Sequence, residues 1–510
     1  VIQLAFYSKI LAAVQGLLPA RMHVVLGDGR EKAYAFKNYN WYLERLLQRF
    51  FLQVQSELEG CAKETSPEPR DHCEVCRWME ICEKQRQKAD HLWQVANIRK
   101  SQIRKLQGAG IHTMEALAKM DPDMRIPGMA AGTLDTIQRQ ARLQVLAREQ
   151  NENMLEHLPL VPGQKRGFER LPRPSEGDIF FDMEGNPLEE GGLEYLFGLC
   201  FLDHGKPVFE AFWAHSRSEE KTAFEGFIDF VTRRLRAYPD AHIYHYAHYE
   251  QTALKRLMSL HGTREAEVDN LLRAGKLVDL YKVVREGIRV SEPSYSIKNL
   301  EHFYMEKRSG DVQSAGASIV YYERWKETGD IRLLEKIRAY NEDDVVSTYR
   351  LRQWLLELRP EGIAWAGDDP DKQVPVADPG ALNAHEQRIE AYRQLLLGDL
   401  PQDRSDWEEE SYLRELAWQL LDFHRREDKP QWWAMFARME MDAWELAEDI
   451  ECIAGLELDP ATPPFPVKKS ICYTFTFPEQ ETKLKTGDKA ARLDTGKALG
   501  RGGGGAVWGS

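Results

Sequence analysis

The alternation of strand and helix patterns along residues 178–358 restricts the fold of this chain more than any other feature. Three strand patterns come first: DIFFDMEG, EYLFGLCFLD and KPVFEAFWA. A helix pattern at 218–237 follows, then a short strand (HIYHYA), a helix (EQTALKRLMSLH), an extended piece (KLVDLY) and a long helix over 341–358. Strands followed by alternating helices and strands predict an α/β or α+β layer fold with a mixed sheet and flanking helices.

The rest of the chain divides into further segments, because 510 residues correspond to three or four domains at about 150 residues each. We predict helices at 1–16 and 39–59 around a strand–turn–strand at 22–37, and short helices over 90–147 broken by GAG and PG. Pro-, Gly- and charge-rich linkers are predicted at 158–177 and 359–380, tryptophan-rich helices at 381–453, and strands at 466–486. The predicted domains of this α/β multidomain chain are 1–83, 84–150, 175–360, 380–455 and 466–510.

Composition excludes several classes of protein. Hydrophobic residues make up 43% and charged residues 29% of the chain, which is typical of globular proteins. An apolar run of the ~18 residues that a membrane helix needs is missing, and seven cysteines are too few for a disulfide scaffold. We therefore expect a cytoplasmic protein in a reducing environment.

Charge is distributed unevenly along the chain. The net charge is −13, but residues 84–147 hold eleven Lys and Arg against five Asp and Glu. This basic segment is either an ordinary solvated surface or a nucleic-acid contact, since local charge is what binds phosphate.

The pair Asp182 and Glu184 is the first candidate for chemistry. The two residues lie two apart on a predicted strand, so their carboxylates share one face about 7 Å apart. The strand is otherwise apolar, and unpaired carboxylates at the end of a buried strand are costly. Oxygen ligands of this kind suit the hard cation Mg²⁺.

Tyr340 and Asp344 form a second candidate pair in the sequence AYNEDDVVSTYRL. They are four residues apart at a predicted helix start and therefore share a face. Asp344 could complete a metal site and Tyr340 could orient an attacking water. The alternative is a helix N-terminus at which acidic residues are favoured by the helix dipole.

Together these elements resemble the DEDD superfamily of 3′→5′ exonucleases, and most closely its YprB-type ribonuclease H-like variant. FDMEG resembles the first motif of the family, and YNEDD resembles the third motif of its tyrosine subclass. IYHYAHYEQTALKRL resembles the second motif, with Tyr249 and with Glu250 where the family has Asp. The stretch 277–304 resembles the family's spacer between the second and third motifs.

The resemblance implies hydrolysis of phosphodiester bonds at a 3′ end by two Mg²⁺ or Mn²⁺ ions. The ions would be held by Asp182, Glu184, Glu250 and Asp344, while Tyr340 would position the water. Contacts to nucleic acid are expected from a further set of residues: His245, His248, Lys298 and Gly128. For the two histidines, a core or surface role is the alternative.

A cysteine cluster precedes this domain, in the spacing Cys73-x2-Cys76-x5-Cys82. Clustered thiolates in a loop predict zinc or an iron–sulfur cluster, with free cysteines as the alternative. The region resembles the end of RecB-type nucleases that carry a [4Fe–4S] cluster, and Gln3 and Tyr7 resemble their Q-x-x-x-Y helix. The family's first cysteine would lie upstream, with Cys61 as a possible substitute. The family's catalytic Asp and Glu-x-Lys should precede the Q-x-x-x-Y helix and are absent there, so RecB-type nuclease activity is not expected.

The segments on either side of the exonuclease-like domain complete the resemblance. LQGAGIHTMEAL and IPGMAAGTLDTI resemble helix-hairpin-helix elements, although Ala130 replaces a usual glycine; an ordinary helical linker is the alternative. The domain order resembles large RecB-like putative nucleases that continue into a helicase. DTGKALG departs from the P-loop pattern at Ala491 and Ala498, so ATP hydrolysis is not assigned.

Our hypothesis is therefore a fragment of a DNA-repair nuclease–helicase, with DNA a better candidate partner than RNA. From the two ends, Val1 and the glycine-rich RGGGGAVWGS, we expect missing sequence on both sides. The alternatives are a catalytically degenerate module that binds nucleic acid for a helicase, and a metal-bearing scaffold that bridges domains.

Overall fold

The structure is a computed structural model that forms two compact units, Val1–Arg86 and Gln87–Ser510. It describes the chain except for residues 27–28, 61–67, 70–72, 74–75, 161, 164, 190, 307–314, 368–378, 402–406, 422, 425–426, 428–433, 436–437, 440, 442–445, 447–448, 468–469, 478–479, 481, 486–489, 494–497 and 500–510. Within the described residues, no helix is both long and apolar enough to cross a membrane.

The first unit has the predicted order of helix, hairpin and helix. Helix α1 (Ile2–Gln15) is followed by the antiparallel strands β1 (Arg21–Val25) and β2 (Glu31–Ala35) and by helix α2 (Lys37–Leu58). A small core joins these elements through Ala5, Met22, Phe36 and Leu43. Helix α3 (Met79–Lys88) begins after Cys76 and contains Cys82.

The second unit begins with the short helices predicted at 90–147. These are α4 (Lys100–Gly108), α5 (Met114–Ala118) and α6 (Ala131–Gln150), and the breaks fall at the predicted Gly and Pro-Gly positions. Thr113 caps α5, because its side chain accepts a hydrogen bond from the Ala116 N–H. The helices enclose their own core, which includes Leu92, Ile103, Leu106, Leu117 and Ile137.

A five-stranded mixed sheet forms the centre of the second unit, in the order β6-β5-β4-β7-β8. The short strands β3 (Leu155–His157) and β9 (Ile288–Val290) pair separately. In the central sheet, β4 pairs antiparallel with β5 and parallel with β7. Its strands are β4 (Ile179–Asn186), β5 (Leu193–Asp203), β6 (Lys206–Trp213), β7 (Ile243–His245) and β8 (Leu277–Asp279). The three strand patterns and the α/β layering are therefore confirmed.

Helices cover both faces of this sheet, as the apolar character of its strands requires. Along β4, Ile179 and Phe181 pack with α7 and α8, whereas Phe180 packs on the opposite face with α10 and α13. Side chains of a strand alternate between faces, so Asp182 and Glu184 lie on the face of Phe180, towards α13. The helices of this domain are α7 (Arg217–Ala237), α8 (Tyr249–His261), α9 (Glu265–Arg273), α10 (Leu280–Gly287), α11 (Ile297–Leu300), α12 (Ala315–Thr328) and α13 (Ile331–Leu358).

A buried ion pair fixes α13 against the start of β4. Arg352 donates a hydrogen bond of 2.9 Å to Asp178, and both side chains are buried. Asp178 also accepts hydrogen bonds from the N–H groups of Ser175 and His242. Because an unpaired charge here would be costly, this pair restricts how α13 lies across the sheet.

Helix α13 begins ten residues earlier than the predicted 341–358. Asp330 caps it by accepting a hydrogen bond from the Arg332 N–H, so the helix starts at Ile331. Tyr340 and Asp344 consequently lie in the helix interior, and the interpretation of YNEDD as a helix N-terminus is wrong. The first turns of α13 were not recognised in the sequence because their many charged residues interrupt the apolar pattern.

The linker predicted at 158–177 contributes to the core. Phe168 and Leu171 are buried in the cluster that contains α10. Glu169 accepts hydrogen bonds from the N–H groups of Gly163 and Lys165, which satisfies the backbone of this irregular segment. The described part of this segment therefore packs against the domain and does not form a linker.

The C-terminal segments contain helices followed by short strands, in the predicted order. Helices α14 (Pro379–Leu397) and α15 (Glu409–Leu420) precede three antiparallel pairs of strands. The strands are β10 (Glu457–Leu458), β11 (Phe465–Val467), β12 (Ser470–Cys472), β13 (Phe475–Thr476), β14 (Ala490–Ala491) and β15 (Ala498–Leu499). Much of the tryptophan- and arginine-bearing stretch 424–440 lies outside the described residues.

Candidate metal centre

Three carboxylates from two elements meet on the α13 side of the sheet. Asp182 and Glu184 come from β4, and Asp344 comes from α13. One oxygen from each lies within 4.8 Å of the others, and Glu184 and Asp344 are buried. The predictions that Asp182 and Glu184 share a face and that Asp344 joins them are confirmed by this geometry.

Glu250 reaches the same cluster from a third element. It lies in the first turn of α8, which begins four residues after β7 ends, and it is buried. Its carboxyl group lies close enough to Asp182 to help raise the pKa of that acid. The methylene that distinguishes Glu from Asp therefore does not keep this side chain away from the acidic cluster.

Burial and like charge both favour the protonated forms of Asp182 and Glu184. Burial raises the pKa of Glu184 to about 8, and the charge of Asp344 adds to this effect. Hydrogen bonds from Ser318 and Tyr195 and the charge of Lys298 oppose it. The pKa of Asp182 is also raised, first by burial and then by its three acidic neighbours.

The acidic cluster fits a divalent cation on chemical grounds. Carboxylates this close and this buried cannot all be ionised unless a positive charge compensates them. An all-oxygen donor set is what Mg²⁺ and Mn²⁺ prefer. Within the described part of the chain, Asp182, Glu184 and Asp344 are the group of potential metal ligands whose donor atoms converge.

Tyr340 and Lys298 lie beside the acidic cluster. The Lys298 ammonium group donates a hydrogen bond of 2.7 Å to the Tyr340 hydroxyl and lies 4.6 Å from its ring centroid. The Tyr340 hydroxyl in turn donates to Asp344, and burial is the first cause that raises the pKa of Tyr340. The phenol is therefore a neutral donor held between a cation and a carboxylate.

Asn341 is a functional candidate that the sequence analysis missed. Its side-chain amide donates a hydrogen bond of 2.8 Å to Asp182. Asn341 precedes Asp344 by three residues, so the two share a helix face. That spacing within YNEDD was the available signal.

The two predicted histidines occupy different environments. His245 is 1% exposed, and its Nδ1 donates to the Ala247 carbonyl at 2.7 Å and lies 3.5 Å from Glu250. Burial lowers its pKa, but Glu250 and Asp279 outweigh that effect, so the pKa is raised. His248 is exposed and precedes α8. Their contact with nucleic acid stays a prediction.

The predicted cysteine and hairpin sites lie elsewhere in the chain. Cys73, Cys76 and Cys82 are half-buried, and the Cys76 N–H donates to the Cys73 carbonyl at 3.0 Å. Cys61 lies outside the described residues. Gly128 has the positive φ of +72° that a hairpin glycine needs, and its carbonyl accepts a hydrogen bond from Lys105.

Residues 179–356 match a family model for RNase_H_2, of the RNase_H superfamily. The match covers less than half of the chain but spans the whole central sheet and all of α13 except its last two residues. A search of curated proteins found no significant match, and a search of solved structures found none. The sheet order, the acidic cluster and the family match together define a ribonuclease H-like domain, which suggests nuclease-type hydrolysis of nucleic acid with divalent metal.

We predict that the metal-free protein loses stability as pH rises from about 5 to 8, because the native acids hold protons that the unfolded chain releases. For Glu184, with its pKa raised to about 8, the loss approaches about 1.4 kcal/mol per pH unit. Thermal unfolding in a chelator across this range measures the effect, and saturating Mn²⁺ should remove it.

The matched control is Glu184→Gln, which removes one of the carboxyl groups whose pKa is raised. Its metal-free melting temperature should depend less steeply on pH than that of the wild type. Equal slopes for the two proteins would contradict the assignment.

Proposed function

We propose that this chain is a metal-dependent 3′→5′ exonuclease of the DEDD type. The observation that carries the proposal is that Asp182, Glu184 and Asp344 converge within a ribonuclease H-like domain. Glu250 lies next to Asp182 from a third element, α8. Tyr340 beside them agrees with the tyrosine subclass that the sequence resembles.

These four carboxylates would hold two Mg²⁺ or Mn²⁺ ions. When bound, such ions supply a water of lowered pKa and stabilise the charge on the leaving 3′ oxygen. Asp182 and Glu184 would release their protons when the ions bind, because the cations then compensate the charge.

The neighbouring side chains would orient the substrate. The Tyr340 hydroxyl donates its proton to Asp344. A water at this site would therefore donate a hydrogen bond to the phenol oxygen. The Lys298 ammonium group, half-buried beside Tyr340, is placed to attract a phosphate towards the acidic cluster. The exposed His248 at the start of α8 would contact the strand outside the cluster, and His245 would support Glu250.

A second candidate is a catalytically degenerate module that binds nucleic acid for a helicase. Glu250 favours it, since the longer side chain replaces the Asp of the second motif. Only the first candidate requires turnover, so an activity assay separates the two.

We also propose the wider setting that the sequence resemblance implies. The chain would be part of a RecB-like nuclease–helicase with a YprB-type exonuclease domain, acting on DNA in repair or recombination. The helical region that contains Gly128 would contact the phosphate backbone. The basic residues of 84–147 support this contact.

The exonuclease is tested on single-stranded oligonucleotides labelled at the 3′ or the 5′ end, with Mn²⁺. We expect stepwise shortening from the 3′ end, and at least a 100-fold loss in Asp182→Ala, because the cluster loses a metal ligand. Asp203→Ala is the matched control, since Asp203 ends β5 and is exposed.

Two results would redirect the proposal. Wild-type protein that binds Mn²⁺ and nucleic acid without cleaving would favour the degenerate module. Activity that survives in Asp182→Ala would rule out this cluster as the active site.

We further propose that Cys73, Cys76 and Cys82 ligate a [4Fe–4S] cluster, with zinc as the alternative. Their spacing within a cysteine-poor chain supports this proposal. Anaerobically purified protein should be brown, with a broad visible absorbance that Cys76→Ser abolishes and Cys472→Ser preserves. A colourless protein with stoichiometric zinc would identify the cysteine cluster as a zinc site. A protein that contains neither metal would contradict both the iron–sulfur and the zinc proposal.

A further inference from the structure

A buried amide lies directly behind the acidic cluster. Asn341, on α13, is fully buried, and its Nδ2 donates a hydrogen bond of 2.8 Å to Oδ2 of Asp182. Among the described atoms, its Oδ1 has no hydrogen-bond partner. A leucine would fill the same volume without burying an unpaired acceptor, so packing alone does not explain an asparagine here.

The backbone opposite Asp182 is shaped to admit this amide. Asp182 pairs with Gly198 of the neighbouring strand β5. A Cβ atom at Gly198 would lie only 1.5 Å from Oδ1 of Asn341, which is far inside van der Waals contact. Gly198 has an ordinary negative φ, so the requirement for glycine here comes from the space that Asn341 occupies.

We propose that Asn341, seated against Gly198, is a positioning residue that orients Asp182 as a metal ligand. The inference rests on the proposed metal-dependent nuclease and deepens it. The amide holds Oδ2 of Asp182 in place. The orientation of the other carboxylate oxygen, Oδ1, is thereby fixed for binding a cation. Hydrogen-bonded partners of ligating carboxylates act in this way at metal sites, and losing one typically weakens metal binding about 10- to 100-fold.

The position of Asn341 predicts which kinetic parameters change. It lies behind Asp182 and is fully buried, so it has no surface with which to bind nucleic acid. Its loss should therefore lower kcat and leave KM for the oligonucleotide unchanged, because the reacting centre is disturbed but substrate binding is not.

The test measures Mn²⁺ binding by titration calorimetry and turnover at saturating Mn²⁺ in Asn341→Leu. We expect Mn²⁺ affinity to fall about 10- to 100-fold, with a lower kcat and an unchanged KM. Ser347→Ala is the matched control: Ser347 is a buried residue of the same helix, and its hydroxyl donates to Glu301 at 2.8 Å. Its Mn²⁺ affinity should equal that of the wild type.

A double-mutant cycle separates positioning from general packing. Gly198→Ala alone should weaken Mn²⁺ binding, because the new methyl group displaces the amide. In the Asn341→Ala background the same substitution should have little further effect, since the colliding atom is gone. The Phe209 ring, 3.2 Å from the new Cβ, has to move slightly in both backgrounds, so its contribution cancels in the cycle.

Three results would overturn the inference: wild-type Mn²⁺ affinity in Asn341→Leu, an equal loss in Ser347→Ala, or additive effects in the cycle. Wild-type protein that binds Mn²⁺ but cleaves nothing would refute the proposed nuclease activity. The Mn²⁺ affinities of Asn341→Leu and Ser347→Ala would still decide whether Asn341 positions Asp182. Wild-type protein that binds no Mn²⁺ would overturn both.

Discussion

Mutual repulsion among buried carboxylates is the interaction on which the centre of this molecule depends. Asp182, Glu184, Glu250 and Asp344 lie in a region from which water is largely excluded, and burial raises the pKa of both acids on β4. Without a cation, the cluster keeps protons that acids at the surface would release. The fold therefore holds an energetically costly arrangement in place, and a bound divalent metal would relieve that cost.

The surrounding architecture brings these acids together and keeps them there. The alternation of β4 directs Asp182 and Glu184 to the face that α13 covers, and the Asp178–Arg352 pair fixes α13 across that face. The hydroxyls of Tyr195 and Ser318 share a hydrogen bond of 2.6 Å beside Glu184 and partly oppose the rise of its pKa, which joins β5 and α12 to the cluster. Each of the four acids thus lies on an element that also packs through buried apolar side chains.

Local patterns in the sequence predicted the parts of the site that lie within one element. The spacing of Asp182 and Glu184 on a strand, and of Tyr340 and Asp344 on a helix, predicted which side chains share a face. Contacts between elements could not be predicted in this way: the amide of Asn341 against Gly198 depends on how α13 crosses β5. The start of α13 and the buried segment around Phe168 were missed because charge, Pro and Gly conceal packing that tertiary contacts supply.

Anomalous diffraction from crystals grown with Mn²⁺ tests directly whether these four acids bind metal. We expect two Mn²⁺ ions among Asp182, Glu184, Glu250 and Asp344, with Asp182 in contact with at least one ion and still hydrogen-bonded to Asn341. Crystals that contain Mn²⁺ elsewhere but none at these four side chains would contradict this expectation.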